Sequence, residues 1–271
     1  MRGHTRELVT FGAIALTWGV LLLLEWRVPL RRAVEPKLRR IARNLTTSGL
    51  SFAVALALEA VLIVPVAQWT AAHGAGLANV AHLPLWAGVI LLDYTLWWWH
   101  WASHNVPLLW RFHLVHHVDR DLDASTALRF HFGEHALSFG YRALQVVLLG
   151  VTLQTVWTWQ TILFVSILFH HSNVRLPAGV ERVLVRFVVT PRMHGIHHSD
   201  RRDEAFTNYS SLLAVWDALH RTLLLDVPQE RIRIGVPAYS APEDVTIGRI
   251  LLLPFRRQRE DWRAAGGAGA S

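Results

Sequence analysis

The sequence predicts an all-α fold: a polytopic membrane helical bundle with a histidine-rich helical cap on its cytoplasmic side. Three observations predict it. Of 271 residues, 52% are hydrophobic and only 17% charged, against about 25% charged in an ordinary soluble domain. The apolar residues fall in long uncharged runs flanked by Arg-rich stretches, which is how membrane spans and their ends read. Finally, 13 of the 16 histidines lie between His100 and His220. High apolar content with 13 Trp excludes disorder for most of the chain. Zero Cys excludes a disulfide scaffold and thiolate metal sites. A net charge of +7 suits nucleic acid in general. Here the Arg residues border apolar segments, which assigns them to a membrane surface and argues against a nucleic-acid partner.

The elements follow in order. Leu8 to Leu24 is uncharged and, extended to Val28, long enough to span a bilayer. No small-residue cleavage site follows it, so it reads as a retained helix and not a signal peptide. Arg27 to Arg43 carries seven basic residues, and the positive-inside rule makes this loop cytoplasmic. Leu45 to Trp69 is a second span, interrupted by Glu59. A carboxylate at that depth is costly and is expected to bond a neighbouring helix. Ala71 to Pro84 is an uncharged external loop. Leu85 to Trp101 is a third span, returning to the cytoplasmic side through Trp97-Trp98-Trp99, which fit an interfacial aromatic belt.

His104 to His135 is polar and His-rich. Ala143 to Phe169 has no charge over 27 residues and reads as one tilted span or as a hairpin turning near Gly150. Beyond His170, short amphipathic pieces alternate with charged loops. Val180 to Val189 suits a helix lying on the membrane, Asp200 to Glu204 a solvated turn, and Ala264 to Ser271 a disordered tail. The resulting division is 1–92, membrane helices and basic loop; 93–223, the histidine-bearing domain; and 224–271, a C-terminal cytoplasmic segment with its tail.

Residues i, i+3 and i+4 share a helix face. His100 and His104 therefore project together, as do His113, His116 and His117, and again His194, His197 and His198. Imidazole suits iron, zinc, copper and nickel. Eight histidines in three boxes exceed the four ligands of one tetrahedral site and fit two metals, so the cap is expected to hold a di-metal site. A haem would use only one or two axial histidines. A zinc hydrolase would need a Glu base in HExxH, which is absent. A histidine-rich membrane metal-binding or transport protein is the alternative, although the histidines lie mainly outside the apolar runs.

These motifs, in this order, resemble the fatty acid hydroxylase / sterol desaturase superfamily of membrane-bound di-iron oxygenases. The resemblance runs from Asp93-x-x-x-Trp97-x-x-His100 to His104, through Leu109-Trp110-Arg111-Phe112-His113 to His117, Arg129-Phe130-His131 to Glu134, His171-Ser172-Asn173 and Pro191 to His198, to Asn208-Tyr209 with Trp216-Asp217. It covers about Asp93 to Leu223. Trp101, Val118, Phe132 and Leu219-His220 depart from the family pattern without touching a box histidine, and leave the substrate open.

The resemblance implies that His100, His104, His113, His116, His117, His194, His197 and His198 bind two iron ions, with His171 as a ninth ligand. His170 is turned about 100° from His171 on a helix and is an outer candidate. His131 is a possible ligand or a partner to one, with His135 and His220 behind it. Asp93, Glu134, Asn173 and Asp217 are candidate partners of bound imidazoles.

It further implies a multi-pass enzyme, in a bacterial inner membrane, that hydroxylates or desaturates a lipid: a sterol, a fatty acyl group or a relative. O₂ would be the co-substrate. No flavin or nicotinamide fingerprint is present, so electrons would come from a separate donor, a ferredoxin or a cytochrome with its reductase.

One topological expectation follows. His171 must reach the same metals as His117 and His198, so the stretch from Ala136 to Phe169 must enter the membrane and return. Its 34 residues extend roughly 51 Å as helix, slightly short of two crossings of about 30 Å each. The expectation is a helical hairpin turning between Gly150 and Thr155.

Overall fold

A computed structural model describes residues 2–259, with side chains from residue 12 onward. The expected tail Ala264–Ser271 lies outside the described residues. Among them there is no strand, only three isolated bridges. Helix α1 is Arg2–Arg27 and α2 is Lys37–Leu58. A π-turn, Glu59–Ile63, leads into α3, Val64–Ala72, and α4 is Leu77–Val80. Pro65 has no N–H to give to the preceding turn, and a π-turn is one way for a helix to absorb that loss. The helical run Lys37–Val80 is long and apolar enough to cross a membrane, and only 17% of its most apolar stretch is buried, unlike the core helix of a soluble protein.

α5, Leu85–Asn105, ends where Pro107 begins α6, Pro107–His117. Proline pushes the preceding residue out of helical conformation, and Val106 is extended at φ −98° and ψ 116°. This break folds α6 back on α5 and brings the first two histidine boxes together.

α7, Phe132–Leu149, and α8, Leu153–His171, form the expected hairpin. Their 18 and 19 residues make arms of about 27 and 29 Å. Gly150 turns the chain at φ +67°, and Thr152 caps α8 by accepting from Thr155 N. Gly150 also meets Gly76 closely: a Cβ on Gly76 would lie 2.3 Å from Gly150 N. α5, α7, α8 and the π-turn region share one core around Leu92, Val146, Val156 and Trp159. Glu59 accepts from Trp157 Nε1 and Gln160 Nε2 at 3.0 Å each, the helix–helix bond expected of it.

The remaining helices are short: α9, Ala178–Leu184; α10, Pro191–His197; α11, Arg202–Ala205; α12, Val215–His220; and α13, Ile247–Leu252. α9 exposes Val180 and Val183, with Phe187 exposed just beyond it. The C-terminal segment packs on the cap, where Val236, Tyr239, Val245 and Ile250 meet Trp110, Leu114 and Val115 of α6.

The basic stretch Arg27–Arg43 differs from a plain solvated loop. Arg40 is buried among three carboxylates of the segment after α6: it pairs with Asp119 at 3.3 Å and Asp121 at 3.9 Å, and closely with Asp123. Arg43 and Arg129 also pair with Asp119, at 3.0 and 3.6 Å. Burial alone would raise the Asp119 carboxyl, but Arg129, Arg40 and Arg43 outweigh it and hold it down at about 2. Several of the positive charges expected to face lipid or a partner instead fasten α2 to the cap.

Candidate metal centre

Four pieces of chain deliver the histidines: the end of α5, the face of α6, the end of α8, and α10 with the residue after it. α10 is started by Pro191 at its first turn and by Thr190, whose hydroxyl accepts from Met193 N at 3.3 Å. That start fixes the direction in which His194, His197 and His198 leave the helix.

The nine histidines form two groups, each with its ligand atoms within 4.8 Å of one another. His100, His104, His113, His117 and His197 make one; His116, His171, His194 and His198 make the other. The boxes are thus split: each HxxHH sequence supplies both groups. In the four-histidine group, Nε2 of His171 lies 3.0 Å from Nε2 of both His116 and His194, and His194 lies 3.1 Å from His198. Two imidazole nitrogens about 2.1 Å from one ion and at right angles would be separated by about 3.0 Å, so the spacing fits a shared cation. In the five-histidine group, Nε2 of His113, His117 and His197 and both nitrogens of His104 are buried without a hydrogen-bond partner. Orphaned buried nitrogens are costly, and a cation is the partner that would satisfy them.

The other ring nitrogens fix the orientation. Nδ1 of His100 donates to the Tyr209 carbonyl at 2.6 Å, His197 to Thr207 at 2.7 Å, His171 to Ile167 at 2.9 Å and His116 to Arg129 at 3.2 Å. His113 donates to the Glu134 carboxylate at 2.6 Å. Such partners hold the tautomer that leaves Nε2 free for a metal. Burial, then crowding by neighbouring imidazoles, pushes His104, His116, His117, His194 and His198 well below the usual imidazole range. Burial takes His171 and His197 down to about 3. These seven imidazoles are therefore held in the neutral form, with a lone pair each available.

All nine expected ligands come together, and the outer candidates separate. Glu134 touches His113. Asp217 acts at one remove: it accepts from Tyr209 N at 2.8 Å, Ser210 N at 2.9 Å and Trp97 Nε1 at 3.0 Å, holding the loop whose carbonyl orients His100. Asp93 instead accepts from Trp216 Nε1 at 2.6 Å and Leu213 N at 3.2 Å, which ties a loop to α5. Asn173 bonds the Arg31 backbone in both directions. His131 is not in either group; it caps α7 by accepting from Gly133 N at 2.9 Å, while Nε2 faces the Leu251 carbonyl at 3.2 Å. With both nitrogens engaged, it has no lone pair to offer. His170 packs 4.2 Å from the His194 ring centroid but joins neither group. His220 stacks on Trp97, and His135 sits by Phe130 and Phe139.

Sequence reasoning missed the carbonyls of Tyr209, Thr207, Ile167 and Arg129, because a backbone acceptor leaves no mark in residue type. It also missed Phe130, which stacks on His116 at 4.5 Å and 7°. A cavity of about 1020 Å³ opens behind the cap between loop 29–37 and segment 232–240; none of the nine histidines lines it, and its rim carries Arg32 and Arg233.

Comparison with known proteins agrees with this geometry. An ornithine lipid hydroxylase of Rhizobium tropici, OlsE, is 32% identical over 49% of this chain and 39% of its own length. A human alkylglycerol monooxygenase is 24% identical over 54% of this chain and 31% of its own. A very-long-chain aldehyde decarbonylase of Oryza sativa subsp. indica is 24% identical over 54% and 26%. The chain thus spans 39% or less of the length of each of these relatives. No solved structure matches. The family model for fatty acid hydroxylase matches residues 85–222, a stretch that is half the chain and holds every histidine of both groups, and the chain belongs to that family.

Proposed function

We propose that the chain is an O₂-dependent di-iron oxygenase that hydroxylates or desaturates a lipid. The observation that carries this is the pair of imidazole groups, five and four, each with its ligand atoms within 4.8 Å of one another. Two iron ions, when bound, would supply the oxidation of an unactivated C–H bond by O₂. The five-histidine group would hold one ion and the four-histidine group the other. Glu134 would hold the His113 proton on Nδ1, and the carbonyls of Tyr209, Thr207, Ile167 and Arg129 would do the same for their partners. Trp110 and Phe206 beside His104, and Phe130 over His116, would keep bulk water from the histidines.

A lipid substrate is supported by the relatives, which include a lipid hydroxylase and an alkylglycerol monooxygenase, and by the exposed apolar faces of α1 and α2. On this reading the helices cross the membrane several times, with the histidines and Arg27–Arg43 on the cytoplasmic side of a bacterial inner membrane. Electrons would come from a separate ferredoxin or a cytochrome with its reductase, and the cationic rim at Arg32 and Arg233 suits an acidic donor.

Iron analysis of the purified chain tests the metal half: about two ions per chain are expected, and a single zinc would overturn it. Lipid profiling of a deletion strain against the complemented strain tests the rest. A lipid that gains or loses one oxygen or two hydrogens is the expected result; identical profiles with O₂ present would overturn it.

A further inference from the structure

We infer that Arg31 is a positioning residue for the four-histidine group, its guanidinium filling the space that the missing side chain of Gly195 leaves. The inference rests on the metal reading above. Gly195 sits in α10 between His194 and His197, where alanine would be the better helix former. A Cβ there would lie 1.6 Å from Arg31 Nη2 and 2.3 Å from Arg31 Cζ. The glycine is thus explained by what lies against it.

Arg31 also holds both elements that carry this group. Its Nη2 donates to the Pro191 carbonyl in the first turn of α10 at 2.8 Å, and to Gln229 Oε1 at 2.7 Å. Its own N–H donates to Asn173 Oδ1 at 2.9 Å, and Asn173 Nδ2 donates back to the Arg31 carbonyl at 2.8 Å. Asn173 follows His171 by two residues. One arginine therefore joins the end of α8, which carries His171, to the helix that carries His194 and leads to His198. Three of the four ligands of that group ride on these two pieces of chain. The five-histidine group has only His197 there.

The guanidinium does two things at once: it packs on Gly195 and its Nη2 serves two acceptors. A planar guanidinium offers more surface to the glycine than a compact ammonium does. Among the described residues Arg31 makes no ion pair with a carboxylate, so its contacts are directional hydrogen bonds and packing.

The test has two readouts. In the metal-free full chain in detergent, amide hydrogen exchange of residues 191–198 is measured for wild type, Arg31→Met, Gly195→Ala and the double variant. Gly195→Ala keeps the arginine and only expels its guanidinium, so it serves if Arg31→Met does not fold. Each variant should speed exchange there by roughly tenfold, with α5 and α6 unchanged, and the double variant should be no faster than the worse single, because both remove one contact. Cobalt(II) titration of the same proteins should then show the four-histidine step weakened about 10- to 100-fold and the five-histidine step nearly unmoved.

Unchanged exchange at 191–198 in both single variants would overturn the inference, as would effects that multiply in the double variant. If wild type takes up no cobalt, the metal reading falls while the exchange result still decides the clamp.

Discussion

Glu134 is the only carboxylate among the described residues that contacts one of the nine histidines, and Glu134→Gln isolates its effect. Its Oε1 is 2.6 Å from His113 Nδ1, and the residue is 5% exposed. Glutamine keeps an acceptor of nearly the same shape, so the His113 tautomer survives and the box stays folded. What disappears is the negative charge that makes the imidazole a stronger donor to a cation. Outer partners of metal-bound histidines are typically worth 10- to 100-fold in affinity, which is about 1.4 to 2.7 kcal/mol. The loss should fall on the five-histidine group alone, because Glu134 contacts no member of the other. Glu134→Ala should lose more, since it also leaves a buried N–H without an acceptor, at a further cost of about 1 to 3 kcal/mol. Two-site titration with cobalt(II), followed by its absorption bands, reads the two steps separately. Equal weakening of both steps would refute the assignment of Glu134 to His113; an isotherm identical to wild type would refute the role of the charge.

Four further outcomes are expected. His116→Ala and His197→Ala, one from each group, should each abolish lipid turnover while membrane fractionation shows normal insertion; full activity in either would remove the two-metal reading. Asp119→Asn leaves Arg40, Arg43 and Arg129 buried with less compensation and should cost about 3 to 5 kcal/mol of stability, read as a lower melting temperature. The same carboxyl has a depressed folded pKa of about 2 against 3.8, so its contribution is present above about pH 4 and is lost as pH falls through about 2, roughly 2 to 3 kcal/mol in all; a melting temperature flat from pH 4 to 2 would contradict this. Finally, the chain has no Cys, so Ala72→Cys should react with an impermeant thiol reagent in intact cells and Val34→Cys should not, with the reverse pattern inverting the proposed topology.

What the sequence disclosed and what it hid follow one physical division. The boxes at i, i+3 and i+4 were legible because helical periodicity alone puts those side chains together. The α7–α8 hairpin was legible because a single crossing by the 34 residues before His170, uncharged from Ala143 on, would part His171 from the other histidines. The division of the boxes between two groups was not legible, because it depends on how α5, α6, α8 and α10 cross. His131 read as a possible ligand or a partner to one, yet its nitrogens are engaged by the local turn of α7 and by the Leu251 carbonyl. The clamp of Arg40 on Asp119, Asp121 and Asp123 joins residues some 80 positions apart, although the alternation Asp-x-Asp-x-Asp after a histidine box was a signal. Three carboxylates so close together on a buried stretch need a cation, and the nearest unassigned supply was the basic loop.

That loop changes how the histidine-bearing pieces and the helices α1 and α2 relate. Charge patterning alone places Arg27–Arg43 at the headgroups, and the same residues turn out to supply the ties that hold the cap. Arg40 fixes the segment after α6, which bears His113, His116 and His117. Arg31 fixes the ends of α8 and α10, which bear His171, His194 and His197. α5 needs no such tie, because the Val106–Pro107 break already folds it onto α6. Each histidine-bearing piece is therefore held either by a proline break or by an arginine reaching over from the first turn of α2 or the stretch before it. Without a cation the imidazoles leave Nε2 of His113, His117 and His197 and both nitrogens of His104 buried and unsatisfied. The energy that keeps nine of them within two small groups must come from contacts outside the groups, and the buried arginines with their carbonyl and carboxylate acceptors are where the structure supplies it.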